Sequence, residues 1–266
     1  MRLAVDLNCD MGESFGTWTL GADAQVLEHV SSANIACGFH AGDPAIMHHT
    51  VAGAFARGVA VGAHPSLADL QGFGRRAMRV TPDEVYDLVL YQIGALAGFC
   101  RALGGRLTHV KAHGALYNMT AGDAALAEAV ACATRDFDPS LILFGLAGSE
   151  LVRAGRSLGL SVANEVFADR TYQSDGTLTA RGRPDAMIQD LGAALAQVER
   201  MMREGRVKAL DGGDVVLEVD TICIHGDQPG AVVFARELRA LLARLGVAVR
   251  APTHNPEVAR PAGSDR

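Results

Sequence analysis

Short runs of aliphatic and β-branched residues alternate with longer, helix-periodic stretches along almost the whole chain. The short runs predict strands at residues 2–7, 33–37, 59–63, 107–111, 141–146, 161–166 and 216–224, with a last one at 247–249. Helical spacing of apolar positions predicts helices at 22–31, 43–57, 82–103, 121–135, 149–158, 184–204 and 231–245. Several helix starts carry their own chemistry. Thr81-Pro82-Asp83-Glu84 sets a capping hydroxyl before a first-turn proline, with a glutamate at the third helical position, and Asp43-Pro44 repeats the order of cap then proline. Gly58, Gly104-Gly105 and Gly159 follow helices, where a left-handed residue closes the last turn.

Strand–helix alternation repeated about seven times, with strands that are mostly continuous apolar runs, implies a parallel sheet covered by helices. A closed barrel and an open doubly wound sheet both meet that description. No Gly-x-Gly-x-x-Gly follows the first strand, which disfavours the dinucleotide-binding form of the open sheet. No Pro/Gly/Ser-rich linker divides the chain. The expectation is an α/β fold: one irregular, TIM-like (β/α) barrel of seven or eight strands over residues 1–251. Residues 252–266 are expected to be a loose polar tail, with His254 uninvolved in any site.

Composition narrows the class without changing it. The 266 residues are 49% hydrophobic and 20% charged, enough for a large core, and α/β barrels reach this length as one unit. A net charge of −6 carries no nucleic-acid footprint. No apolar run reaches the roughly 18 residues of a membrane helix, and the acid at Asp6 comes too early for a signal peptide. Cys9, Cys37, Cys100, Cys132 and Cys223 are scattered and form no Cys-x-x-Cys pair. That pattern fits a reducing cytoplasm and argues against disulfides or a structural zinc site. All five read first as small buried residues, even the three near strand ends.

The polar residues are less evenly spread. Asp6-Leu7-Asn8-Cys9-Asp10-Met11-Gly12-Glu13-Ser14 follows the first apolar run, and in an extended segment Asp6, Asn8 and Asp10 share one face. A structural turn has little need of three carboxylates and an amide, because crowded like charges repel. In a parallel α/β fold the residues just past the strand C-termini lie on one face, which carries the site. His40, His64, His109, His113 and His225 all fall at or beside strand ends, whereas His29, His48 and His49 fall on predicted helices. Strand alternation puts His109, Lys111 and His113 on one side and Val110 and Ala112 on the other.

Each group has a chemical use at such a face. Asp10 is the candidate general base, with His40 and His64 as proton-transfer groups or ligands. Lys111 would anchor a substrate carboxylate or an oxyanion, and His113 or Glu165 would be the acid. Asn8, Glu13, Arg170, His225 and Asp227 are candidate substrate contacts. Arg170 offers a fork for a carboxylate or phosphate, or a partner for Asp169, and Arg75-Arg76 either reach over the site or stay solvated. A divalent metal is an open alternative that no local motif specifies, since His-Glu-x-x-His is absent. Phosphate-loop, kinase and Gly-x-Ser-x-Gly motifs are also absent, and Gly212-Gly213-Asp214 lies on the wrong face for a nucleotide cradle.

Five ordered segments carry a family likeness: Asp6–Ser14, Ala33-Asn-Ile-Ala-Cys-Gly-Phe-His-Ala-Gly-Asp43, Gly62-Ala-His-Pro-Ser66, Val110-Lys-Ala-His-Gly-Ala-Leu-Tyr-Asn118 and Glu165-Val-Phe-Ala-Asp-Arg170. Together they resemble the LamB/YcsF family, from the first strand to about Arg250. The resemblance implies a barrel related to the polysaccharide-deacetylase and glycoside-hydrolase type. It also implies a place as the A subunit of a bacterial ATP-dependent 5-oxoprolinase, with separate B and C subunits. That enzyme opens 5-oxo-L-proline to L-glutamate at the expense of ATP and water. Because the chain has no nucleotide cradle, ATP is expected to be handled mainly by the partners. Two other readings stay open: a stand-alone metal-dependent deacetylase or amidohydrolase on a small N-acyl or carbohydrate substrate, and a binding protein that delivers a small acid to its partners.

Overall fold

The computed structural model describes residues 3–224 and 230–254. Strand β1 (Ala4–Met11) leads through the short α1 (Asp23–Val26) to β2 (Ser32–Ala36), α2 (Pro44–Ala56), β3 (Ala60–His64) and α3 (Pro82–Ala102). Then come β4 (His109–Lys111), the helix pair α4 (Gly114–Gly122) and α5 (Ala124–Phe137), β5 (Ile142–Leu146), α6 (Glu150–Ser157) and β6 (Ser161–Phe167). A long loop precedes α7 (Leu191–Glu204), the strands β7 (Arg206–Lys208) and β8 (Asp214–Val216), β9 (Thr221–Ile224), α8 (Ala231–Arg244) and β10 (Ala248–Val249). Parallel pairing runs β1-β2-β3-β4-β5-β6-β9 and back to β1, so seven strands close a barrel. β10 shares that last edge, pairing with Ala4 and Val5 of β1, while β9 pairs with β1 from Asp6 to Cys9. The expected irregular barrel of seven or eight strands is therefore present.

Local chemistry explains most element boundaries. The capping box at Thr81 and Glu84 is made in full, and the Asp43 carboxylate accepts from Ala45 N and Ile46 N at 2.8 and 2.9 Å. Five expectations need correction, the helix expected at 22–31 among them, which is only the short α1. The first strand continues to Met11 instead of ending at Leu7, because β2 and β9 pair with its polar half. The helix expected at 121–135 is α5, which starts at Ala124 because Asp123 caps it by accepting from Ala125 N and Leu126 N, and a separate helix, α4, precedes it. The run at 216–224 divides into β8, paired antiparallel with β7, and β9. Between them Glu218 and Asp220 bond the Asn164 side chain at 2.8 and 2.6 Å. The helix expected from residue 184 starts at Leu191 behind the Asp190 cap.

Alternation along β1 sorts the molecule into two interiors. Val5, Leu7, Cys9 and Met11 join the large apolar layer between barrel and helices. Asp6, Asn8 and Asp10 point into the barrel, where their partners come from β2, β4, β6 and β9. The lumen is thus mostly polar, with a small apolar side made by Ile142, Phe144 and Ala163. At Gly62 an added Cβ would sit 2.1 Å from His109 Nε2, so only glycine leaves room for that imidazole. His254, on the stretch expected to be loose, places Nδ1 3.1 Å from Ser161 Oγ, at the start of β6 and away from the barrel mouth.

Candidate active site

The lumen is a stack of hydrogen-bonded layers. At the bottom the Asp6 carboxylate accepts from Ser31, Ser32 and Thr221 hydroxyls at 2.6, 2.7 and 2.5 Å. Burial raises its pKa to about 6, although the three hydroxyls work against the rise. Above it, Asn8 donates to Glu165 Oε1 and Thr221 Oγ1 at 2.9 and 2.7 Å and accepts from Asn34 Nδ2 at 2.7 Å. His109 lies 2.8 Å from both Asn34 Oδ1 and Thr108 Oγ1 and stacks on Phe144. Burial, then the nearby Lys111 charge, lowers its pKa to about 3, so it is a neutral structural imidazole.

Lys111 reaches up from β4 and is 2% exposed. Its ammonium faces Asp10 Oδ1 at 2.9 Å, Glu165 Oε1 at 2.8 Å, Asn8 Oδ1 at 3.1 Å and Cys223 Sγ at 3.0 Å. Burial opposes its charge, but Asp10, Cys223 and Glu165 outweigh that and hold its pKa well above the usual lysine range. Burial would likewise raise the Asp10 pKa, yet His64 and Lys111 beside it keep the carboxyl well below the usual range. Asp10 Oδ1 is engaged by Lys111 and Asn34, which leaves Oδ2 facing His64 Nε2 at 3.2 Å.

At the mouth, histidine tautomers follow from the hydrogen bonds. His64 Nδ1 lies 2.8 Å from the Lys111 carbonyl and His113 Nε2 lies 2.9 Å from the Phe73 carbonyl, so each of those nitrogens carries a proton. A neutral ring then has a lone pair on its other nitrogen. Burial disfavours charge on His113 and on His40. His64 Nε2 and His113 Nδ1 are 3.0 Å apart, and Glu13 Oε1 lies 3.6 Å from His113 Nδ1 and 3.3 Å from His40 Nε2. His40 stacks on His113 with ring centroids 3.8 Å apart. Imidazole nitrogens and a carboxylate from four segments thus converge at the mouth, an arrangement that suits a shared proton or a cation. Glu13, His40, His64 and His113 offer ligand atoms within 4.8 Å of one another.

The loop after β3 shapes this cluster. Phe73 is the only non-glycine described residue in the left-handed region, at φ 55°, and that conformation turns its carbonyl to His113. Gly74, at φ 63°, follows it against Ser66 and His40, where an added Cβ would lie 2.2 Å from Ser66 Oγ. Asp69 closes the loop by pairing with Arg76.

A cavity of about 470 Å3 opens over these groups, lined by Asp10, Glu13, His64, Lys111 and His113 together with Arg170 and residues 177–182. Six of the expected site residues therefore line it: Asp10, Glu13, His64, Lys111, His113 and Arg170. Asn8, His40 and Glu165 lie behind the wall, fully buried. Asn8, expected as a substrate contact, instead has its amide engaged by Glu165, Thr221, Asn34 and Lys111. Arg170 gives Nε and an Nη to the carbonyls of Ala186 and Thr179, and so braces the loop after β6. His225 and Asp227 lie outside the described residues.

Sequence reasoning passed over three contributors. Asn34 was signalled by an amide inside the apolar run of β2. Tyr117, whose hydroxyl is buried with no hydrogen-bond partner among the described residues, lines the cavity from α4. The Phe73 carbonyl had no signal, since its role depends on backbone conformation.

Known proteins share this arrangement of strands and, in closer relatives, much of the sequence. The chain is 63% identical over 251 residues to the 5-oxoprolinase A subunit of Bordetella parapertussis, covering 94% of this chain and 100% of that protein. It is 60% identical over 247 residues to the 5-oxoprolinase A subunit of Bacillus subtilis, covering 93% and 96%. It superimposes on the lactam utilization protein from Thermus thermophilus with a TM-score of 0.88 at 48% identity, over 94% of this chain and 100% of that one. A family 4 carbohydrate esterase from Streptomyces lividans shares the fold alone, with a TM-score of 0.50 at 14% identity over 98% of each chain. The LamB/YcsF family model matches residues 5–257, so the polar stack in the lumen and the histidine mouth above it sit in a chain that belongs to the LamB/YcsF family.

Proposed function

We propose that the chain is the hydrolytic A subunit of an ATP-dependent 5-oxoprolinase, opening 5-oxo-L-proline to L-glutamate while partner B and C subunits carry out most of the ATP chemistry. The names of its relatives support the activity, and the convergence of Asp10, Glu13, His64 and His113 on the cavity floor carries the assignment of the site. A cytoplasmic location accords with five free cysteines, and no described helix is long and apolar enough to cross a membrane.

Opening a lactam is amide hydrolysis: water must be deprotonated, charge on the carbonyl oxygen stabilised and the ring nitrogen protonated. Asp10 Oδ2, the oxygen that Lys111 and Asn34 leave open, is placed to take the proton from water. Lys111 keeps Asp10 ionised and oriented, so its role is to position the base and not to anchor the substrate. Glu165 is closed off from the cavity and the His113 N–H is held by the Phe73 carbonyl, which leaves the Asp10–His64 pair to return the proton to nitrogen.

The donor set also fits a divalent cation. Imidazoles and a carboxylate are the ligand types of such sites, and Glu13, His40, His64 and His113 would hold the ion. Bound there, a cation would acidify water and polarise a carbonyl. Reconstitution with and without candidate B and C subunits, measuring glutamate and phosphate release, tests the proposal. Glutamate formation that requires ATP, all three subunits and this chain is the expected result. Chelator-sensitive hydrolysis of an N-acyl substrate without ATP would replace it with a stand-alone amidohydrolase.

A further inference from the structure

Four buried side-chain atoms lack a hydrogen-bond partner among the described residues: His40 Nδ1, Ser66 Oγ, Tyr117 Oη and Glu165 Oε2. The first two belong to the histidine mouth, where both residues flank Gly74. The last two come from α4 and β6 and are complementary, a phenol that can donate and a carboxylate oxygen that can only accept. Buried polar groups left unpaired are costly, so such a pair needs an explanation.

The surroundings bring the two together. The Tyr117 ring meets the Phe167 ring edge-on, with centroids 5.7 Å apart. Phe167 and Glu165 lie two residues apart on β6 and so share a face of the strand. The Lys111 ammonium is 5.7 Å from the centre of the same Phe167 ring and 2.8 Å from Glu165 Oε1. Tyr117 thus stands beside Glu165, with its ring in the cavity wall and its hydroxyl buried behind that wall. Burial, then the Glu165 charge, holds the hydroxyl pKa well above the usual tyrosine range, so the phenol keeps its proton and remains a donor. Glu165 Oε1 is already committed, to Lys111 and to the Asn8 amide at 2.9 Å, which leaves Oε2 as the acceptor.

We propose that Tyr117 is a positioning residue: its hydroxyl donates to Glu165 Oε2, and the carboxylate held in this way keeps the Lys111 ammonium between Glu165 and Asp10. The pairing stands on the fold alone, and its consequence for turnover rests on the lactam reading above. With Oε2 satisfied, Glu165 has no reason to turn, and Oε1 stays on Lys111. The ammonium in turn stays 2.9 Å from Asp10 Oδ1, and Asp10 Oδ2 stays directed at His64. Without the phenol, the carboxylate must rotate to find a donor, and the Lys111 contact that orients the base loosens with it. The Tyr117 ring also keeps cavity water away from this buried ion pair.

Tyr117→Phe, Glu165→Gln and the double variant test the assignment by two measurements. In the complex reconstituted with candidate B and C subunits, Tyr117→Phe should lower kcat for glutamate release about 10-fold or more while KM stays within about twofold. The double variant should be no slower than Glu165→Gln alone, because Tyr117 acts through Glu165. In urea unfolding of the chain by itself, the double variant should lose less stability than the two single losses added together. Far-ultraviolet circular dichroism checks that each variant is folded. Additive losses in urea overturn the pairing. Unchanged kcat in Tyr117→Phe, or a raised KM at unchanged kcat, overturns the positioning role while the lactam reading stands. A wild-type complex that releases no glutamate overturns the lactam reading, and the urea cycle then decides the pairing.

Discussion

Asp10 and Asp6 are two residues of one type, four positions apart on one strand, and the structure drives them in opposite directions. Asp10 meets an ammonium and an imidazole and stays ionised, whereas Asp6 meets hydroxyls in a dry layer and holds its proton more tightly. For Asp10, the Asn substitution should lower glutamate release by the reconstituted enzyme by at least about 100-fold. The variant chain should remain folded because Lys111 keeps Glu165 as a partner. Near-normal turnover would remove Asp10 from the chemistry. For Asp6, a folded-state pKa of about 6 against 3.8 in the unfolded chain means that the folded state binds more protons between those values. Its contribution is therefore fully present below about pH 4 and is lost as pH rises through about 6, by about 3 kcal/mol in total. Urea unfolding of wild type and Asp6→Asn across pH 4–7 should show the difference between them shrink in that sense, and a difference independent of pH would refute the assignment. Both aspartates were visible as candidate chemistry, but only their neighbours say which can act as a base at neutral pH.

At the scale of elements, β1 and the loop after β3 do most of the positioning. The alternation that puts Asp6, Asn8 and Asp10 on one face was readable from the sequence, because strand periodicity is two and their neighbours Leu7 and Cys9 are apolar. The length of β1 was not, since a strand extends as far as its partners pair with it, and those partners come from β2 and β9. Glycine on β3 shows the converse. Gly62 leaves space that the His109 imidazole fills, and Gly62→Ala should displace that ring and break its contacts with Asn34 and Phe144. A loss of about 2–4 kcal/mol in chemical denaturation is expected, within the range of overpacking joined to a broken buried network. Unchanged stability would mean that β4 shifts freely, contrary to its pairing with both β3 and β5. The boundary between α4 and α5 belongs here too. The helix read from 121 left α4 unassigned, and the Asp123 cap sets where α5 begins.

At the scale of the molecule, closure of the barrel brings groups far apart in sequence to one mouth: Glu13 and His40 after β1 and β2, His64 at the end of β3, and His113 after β4. The cation reading makes a prediction at this scale, since an ion held by four such segments ties them together. Adding a divalent cation at about a hundredfold excess over its Kd should stabilise the chain by about 2.7 kcal/mol, read as a rise of several degrees in Tm that a chelator reverses. His113→Gln and Glu13→Gln should each abolish the rise. No shift with zinc, manganese, cobalt or nickel would show that the converging acceptors serve a proton instead.

The sequence by itself determined the parallel α/β class, the barrel of seven or eight strands and the face on which the chemistry gathers. These follow from periodicities and caps that act over a few residues, and from a strand–helix order that few architectures satisfy. It also marked Asp10, Glu13, His64, Lys111 and His113. Only the tertiary structure decided what each of them touches, because charge, tautomer and access depend on neighbours that the barrel brings from distant segments. The Lys111 ammonium meets four acceptors, Asp10 among them, and Asn8 and Glu165 lie behind the wall because the lumen closes over them. The Phe73 carbonyl, which sets the His113 tautomer, belongs to no side chain and could not be read from residue identity at all.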